Sequence, residues 1–236
     1  MILLDNIAAK MLQKNYSPNT IEVYLSFLKQ FKNFCEQKNI QPETDAIPFI
    51  MSIIKRGHSL SSQNQAINAI KFYWEHILQK ERTTIKIDRP FKEKRLPTVL
   101  SLCEINSLFA TIYNFKHLMI LKTIYACGLR IGELTALKLN DIDGSRNYIH
   151  IKKSKGRKDR IVPLPDELLV DLRDYYKQYH PKIYLFEGKS KFKNLEQSVP
   201  YSTTSIRAIL KRAVNKSKIT KKVTTHTLRH SYATHL

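Results

Sequence analysis

Glycine is scarce in this 236-residue chain, with six in all, and no G-x-x-x-x-G-K or G-x-G-x-x-G occurs. A P-loop or a dinucleotide-binding turn therefore has no support. The three cysteines, Cys35, Cys103 and Cys127, are odd in number and far apart. That excludes a disulfide framework or a zinc ribbon and fits a reduced, cytoplasmic protein. Nine prolines and six glycines argue against a collagen-like or low-complexity chain. The longest apolar stretch, Ala46 to Ile54, contains Pro48 and Ser52. It is far short of the ~20 residues of a membrane span, so no membrane partner is expected. Asp5 interrupts the first apolar residues, which is not the pattern of a secretory signal.

Acidic residues are also few: 20 Asp+Glu against 40 Lys+Arg, a formal charge of +20 and a pI near 9.8. Such an excess points to a polyanion, nucleic acid before membrane. The charge is unevenly spread. Residues 1–79 hold 8 Lys+Arg and 6 Asp+Glu, residues 80–97 hold 7 and 3, and residues 98–236 hold 25 and 11. The middle segment, with Pro90 and Pro97, reads as a basic linker between two domains. Lys152, Lys153, Lys155, Arg157, Lys158 and Arg160 form a cluster opposed only by Asp159. From Gln197 to Leu236 there is no acid, while Arg207, Lys211, Arg212, Lys216, Lys218, Lys221, Lys222 and Arg229 are basic. A solvated helix face normally mixes signs, so this stretch favours a surface facing phosphates.

The pattern predicts a mainly α protein of two domains. In the first, all-α domain, Ile21, Tyr24, Leu25, Leu28, Phe31 and Phe34 recur at helical spacing behind Ser17 and Pro18, a cap and a first-turn proline. A second helix spans about 61–78, with Ala66, Ile67, Ile70, Trp74, Ile77 and Leu78 inward and its aromatics in the core. The second, α+β domain opens with a capping box, Ser101 and Glu104, on a helix to about Tyr113. A helix at about 117–127 is broken by Gly128, and helical spacing resumes over 130–137. Residues 147–152 and 160–164 read as a small antiparallel hairpin with a basic tip. Helices follow at 166–179, 202–216 and from His226 onward.

Three segments carry the chemical signal: Cys127-Gly-Leu-Arg130-Ile-Gly-Glu133-Leu134, Lys155-Gly-Arg157-Lys158-Asp-Arg160, and His226-Thr-Leu-Arg229-His230. Each alone is weak; their order in one basic chain is specific. Together they resemble the arginine boxes and the hairpin-lysine segment of the tyrosine recombinases of the phage integrase family, of the Xer-like type. Ser17-Pro-Asn-Thr-Ile with Tyr24, then Phe31, Phe34 and Cys35, resembles that family's SAM-like core-binding domain. The resemblance implies a helical core-binding domain over 1–79, the linker 80–97 and a catalytic domain over 98–236.

The resemblance also implies roles. A tyrosine hydroxyl attacks a DNA phosphodiester, giving a 3′-phosphotyrosyl link and a free 5′-hydroxyl. Arg130 and Arg229 would clamp the non-bridging oxygens with planar guanidinium forks. Lys155 would protonate the leaving 5′-oxygen, and His226 would hydrogen-bond the phosphate or assist proton transfer. Lys152, Lys153, Arg157, Lys158, Arg160, Arg207, Lys211, Arg212, Lys221, Lys222 and His230 would bind DNA. Neither metal nor ATP is needed, so no cofactor is expected. The partner is double-stranded DNA, on which the family assembles as a homotetramer.

Other readings stand beside these. Arg130 can simply pair with Glu133, and Glu133 and Asp141 read as structural. His226 and His230 have a spacing that can hold zinc on a helix, but no cysteine lies near. Cys127 and Tyr232 read as packing residues. The family's pattern continues beyond the second arginine box with a further His or Trp box and the nucleophilic tyrosine. The sequence stops seven residues after Arg229. It is therefore expected to be a C-terminally incomplete recombinase with weakened oligomerisation, that does not cleave DNA alone. The alternatives are a non-catalytic regulator or decoy at recombination sites and, last, an RNA-binding module.

Overall fold

The computed structural model describes residues 4–43, 45–81, 96–152, 159–189 and 198–236. The chain divides into two compact units, Met1–Lys94 and Arg95–Leu236. Most of the basic segment 80–97 lies outside the described residues.

The first unit contains helices α1 (Leu4–Gln13), α2 (Pro18–Lys38), α3 (Ile47–Lys55) and α4 (Leu60–His76). Ser17 caps α2 by accepting the Thr20 N–H at 3.2 Å, with Pro18 in the first turn. The helix ends at Asn39 in the left-handed region, φ 51°. Its inner face buries Ile21, Tyr24, Leu28, Phe31 and Cys35, as the spacing predicts, with Leu25 and Phe34 packed at the margin. Trp74 is buried, and its indole N–H donates to the Pro42 carbonyl at 2.8 Å. The aromatics of α4 are core residues. The apolar run of residues 46–54 becomes α3, started by the Asp45 carboxylate accepting the Ile47 N–H at 2.7 Å. Phe49, Ile50 and Ile53 face the core, whereas Ile47, Met51 and Ile54 stay exposed.

The second unit begins with the capping box on α5 (Leu102–Ala110): Ser101 N–H donates to Glu104 at 2.7 Å, and Glu104 N–H to the Ser101 hydroxyl at 3.2 Å. This helix stops three residues short of the expected Tyr113. Thr111 closes it, its hydroxyl donating to the Leu108 carbonyl, and Asn114 already caps the next helix. Helices α6 (Phe115–Ala126) and α7 (Ile131–Ala136) lead through a 3-10 turn (Leu139–Asp141) to a three-stranded antiparallel sheet. Its order is β1 (Ile142–Asp143), β2 (Tyr148–Ile151), β3 (Arg160–Pro163). The register pairs His150 with Ile161 and Ile151 with Arg160, and β2 alternates with Ile149 and Ile151 inward. The strands of the expected hairpin pair; its tip, residues 153–158, lies outside the described residues. Helix α8 (Asp166–Tyr179), the short pair β4 (Glu187–Gly188) and β5 (Val199–Pro200), α9 (Thr203–Lys216) and α10 (Thr225–His235) complete the unit. Its core draws on Leu108, Ile120, Ile124, Leu134, Ile149, Leu172, Ile206, Leu210 and Leu228. The buried Ser231 hydroxyl accepts the Leu100 N–H at 2.9 Å, joining α10 to the residues before α5.

Candidate active site

The site starts where α6 ends. Gly128 takes φ +55°, and a Cβ there would sit inside the Tyr232 ring, so glycine is required twice over. The fully buried Leu129 anchors the turn. Arg130 follows in extended conformation as the N-cap of α7. An arginine cannot accept the cap bond, so Glu133 closes this helix start instead. Its carboxylate accepts the Arg130 N–H at 2.8 Å and the Arg130 Nη1 at 2.7 Å.

Helix α10 supplies the other box. Thr224 caps it, accepting the Thr227 N–H at 3.3 Å. Exposed His226 stands in its first turn, with Arg229 one turn further on. The Arg229 guanidinium donates to the Gly128 carbonyl and lies 3.7 Å from Glu133 Oε2. A third guanidinium reaches the same carboxylate from β3, Arg160 Nη2 at 2.8 Å. Arg130, Arg160 and Arg229, from three different elements, thus share one carboxylate that is only 7% exposed. Burial first, then the charges of Arg130 and Arg160, pull the Arg229 pKa below its ordinary value. One carboxylate against three guanidiniums leaves local positive charge that a phosphate can neutralise.

A cavity of about 690 Å³ opens beside this cluster, lined among others by Arg130, Glu133, Asp141, His150, Lys152 and His226. Lys152 Nζ is held by Asp141 at 2.5 Å, and His150 faces Asp159 at 3.3 Å. A neighbouring cavity of about 500 Å³ has Arg207 and Lys211 of α9 on its wall and shares Ile131 and His226 with the first. Arg130, His226, Arg229 and Lys152 therefore come together, with Arg207 and Lys211 alongside. Arg212 lines a different cavity with His117 and Lys216. Lys221 is bonded to Glu104 at 2.7 Å and to the Val99 carbonyl at 3.1 Å. Lys222 and His230 are exposed. Lys153, Lys155, Arg157 and Lys158 lie outside the described residues. No group of three or more His, Cys, Asp or Glu able to hold a metal occurs among the described residues. No helix among them is long and apolar enough to cross a membrane.

Two features escaped the sequence reading. Glu133 was expected to be structural; it is structural, but as the hub of the arginine cluster. Arg160, assigned to DNA, is bonded to Glu133. Only the three-residue spacing of Arg130 and Glu133 hinted at the first, and no local signal marks the second. Cys127 is fully buried, its thiol pushed up to about 12 by burial, as befits a packing residue.

Comparisons with known proteins show the family. Residues 92–236 match the model of the phage integrase family, and residues 3–84 that of the phage integrase N-terminal SAM-like domain. The chain is 32% identical over 237 residues to the tyrosine recombinase XerA of Pyrococcus furiosus, covering 99% of this chain and 79% of that one. To the tyrosine recombinase XerD of Staphylococcus saprophyticus it is 30% identical, covering 95% and 81%. A crystal structure of a XerA recombinase aligns with TM-score 0.52 at 28% identity, over 98% of this chain and 82% of that one. A lambda integrase dimer bound to a core site shares the fold, with TM-score 0.71 at 16% identity, over 98% of this chain and 87% of that one. With a SAM-like helical domain, a catalytic domain with a small antiparallel sheet, and both arginine boxes meeting at Glu133, this chain belongs to the phage integrase family of site-specific DNA recombinases, as a Xer-like tyrosine recombinase.

Proposed function

We propose that residues 1–236 bind duplex DNA and activate one scissile phosphodiester for attack by a tyrosine. The observation that carries this reading is the meeting of three guanidiniums on one buried carboxylate beside an open basic cavity. Arg130 and Arg229 hold the non-bridging oxygens, and Arg160 braces their shared carboxylate. As the tyrosine oxygen bonds to phosphorus, the bond to the 5′-oxygen breaks and Lys155 gives that oxygen a proton. His226 hydrogen-bonds the phosphate. Lys152, Arg207 and Lys211 continue the positive surface, and Lys153, Arg157, Lys158, Arg212, Lys222 and His230 add contacts to the backbone. The segment 1–79 acts as the core-binding domain and 80–97 as the basic linker to the catalytic domain 98–236. The homotetramer of the family is the assembly on DNA.

Tyr232 is not assigned as the nucleophile. Tyr232, the tyrosine nearest Arg229 in sequence, has its ring against Gly128, which supports a packing role. A second reading is a DNA-binding regulator or decoy that occupies recombination sites without cutting.

The test uses a duplex selected from a random pool by the protein itself. Binding should weaken steeply with salt, and Arg130→Ala or Arg229→Ala should abolish cleavage when a relative's tyrosine-bearing segment is supplied as a peptide. Cleavage with that peptide supports the recombinase; unimpaired binding without cleavage supports the decoy. A denaturation-resistant protein–DNA adduct formed by residues 1–236 alone, and lost in Tyr232→Phe, would overturn the assignment of Tyr232.

A further inference from the structure

Two helices of the second unit start at one cavity. Its volume is about 460 Å³, and Asn114 and Ser202 are both on its wall. Asn114 caps α6, accepting the His117 N–H at 3.0 Å, and Ser202 caps α9, accepting the Ser205 N–H at 3.3 Å. Such a cap satisfies part of a first turn, whose other N–H groups favour an anion. Neither first turn contains an acid. Two basic side chains share the wall, Lys116 and His117. The Lys116 ammonium lies 4.9 Å from the centre of the Tyr179 ring and donates to the Glu187 carbonyl at 3.1 Å. His117 Nε2 is 3.1 Å from the Tyr201 hydroxyl. Glu187 also lines the cavity, but its carboxylate is turned into its own loop. There Oε1 accepts the Lys182 N–H at 2.9 Å, the Ile183 N–H at 2.8 Å and the Ser198 hydroxyl.

A separate observation points to a ligand. Tyr175 is fully buried, and its hydroxyl has no hydrogen-bond partner among the described residues, whereas buried hydroxyls are ordinarily bonded. After burial itself, the groups that raise its pKa are Glu187, Tyr179 and Tyr201, all three on the cavity wall. The orphan donor therefore sits at the inner side of that wall.

We propose that this cavity binds a phosphate group, separately from the arginine cluster around Glu133. The two first turns supply N–H donors, Lys116 supplies charge, and His117 joins as the imidazolium. Burial, then the charges of Arg212 and Lys116, hold the His117 pKa below its ordinary value. A bound anion favours the charged form and works against all three. A free phosphate and a phosphate of the DNA backbone offer the same chemistry. The site does not depend on the DNA-binding reading above; only the choice between these two sources does.

The experiment follows the imidazole signals of the full chain by NMR, first in chloride and then with inorganic phosphate. The groups facing His117 are Lys116 on α6, Arg212 and Lys216 on α9, and Tyr201 and Glu187 before it. Phosphate should raise the His117 protonation midpoint by about one pH unit, a tenfold change. Lys116→Met should abolish that response, and Lys116→Arg should keep it. Tyr175→Phe removes a hydroxyl without a partner, so urea stability in chloride should hold while phosphate affinity falls about three- to tenfold. His226 reports on the arginine cluster in the same spectra, so the two sites are read apart. A bound duplex that raises the His117 midpoint and cancels the effect of added phosphate supports the site with the backbone as its source. A phosphate response that persists on bound duplex supports it with a free phosphate. The proposal is overturned if His117 ignores both phosphate and bound duplex, or if Lys116→Met and Tyr175→Phe both leave its response unchanged. Should the duplex not bind at all, the DNA reading fails, and the phosphate titration still decides the site.

Discussion

Arg160 Nη2 lies 2.8 Å from Glu133 Oε2, tying the first residue of β3 to the first turn of α7. The strand that leaves the hairpin tip is thereby anchored to the helix that presents Arg130. Because Glu133 also faces Arg130 and Arg229, the order of the whole arginine cluster depends on one carboxylate.

Replacing it isolates that dependence. Glu133→Gln keeps the shape but leaves three guanidiniums facing one another, and removing one partner of a buried pair costs about 3 kcal/mol or more. Urea unfolding should show that loss, and inorganic phosphate should recover part of it by taking the carboxylate's place. A loss unchanged by phosphate would mean that the cluster is structural and does not receive an anion.

Gly128→Ala should destabilise by about 1–3 kcal/mol, from the positive φ and from the clash with the Tyr232 ring. Adding Tyr232→Ala removes the clash but not the backbone strain. A double-mutant cycle should therefore show the two changes to be strongly non-additive. Simple additivity would show that the ring yields freely.

The Lys221 ammonium, followed by the Ser101 N–H, holds the Glu104 carboxyl below its ordinary pKa. A lowered carboxylate pKa contributes stability that is full above the ordinary carboxylate value and fades as pH falls through the lowered one. Lys221→Met should be less stable than the parent at neutral pH, and the gap should close on acidification into that range. Thermal melts across mildly to strongly acidic buffers measure it; a gap constant with pH would remove Glu104 as its source.

Of the three thiols, only Cys103 is exposed, while burial pushes Cys35 up to about 11 and Cys127 up to about 12. A thiol reagent at neutral pH should titrate one group in the native protein and three in denaturant. Fast reaction of a second thiol would reveal local opening of one of the cores.

Much of this was legible in the sequence because the signals are local. Ser17-Pro18, the Ser101 and Glu104 box, Gly128 and the alternation of β2 each announce an element from within a few residues. Strands β1 and β4 were not legible, being two residues each with no period to detect. Helix α3 reads in the sequence only as an apolar run, being nine residues long with Pro48 near its start. The Arg160–Glu133 bond spans 27 residues and is set by the pairing of β2 with β3. No spacing rule joins a strand residue to a helix cap across such a gap.

The bond from Leu100 N–H to the Ser231 hydroxyl joins residues 131 apart in sequence. A nascent chain leaving the ribosome presents Arg130 long before Arg229, and α6 must wait for α10 to pack against it. The two arginines therefore meet only when the second unit closes on itself. A half-made chain carries Arg130 without Arg229 beside it, so the shared arginine cluster arises only together with the folded unit.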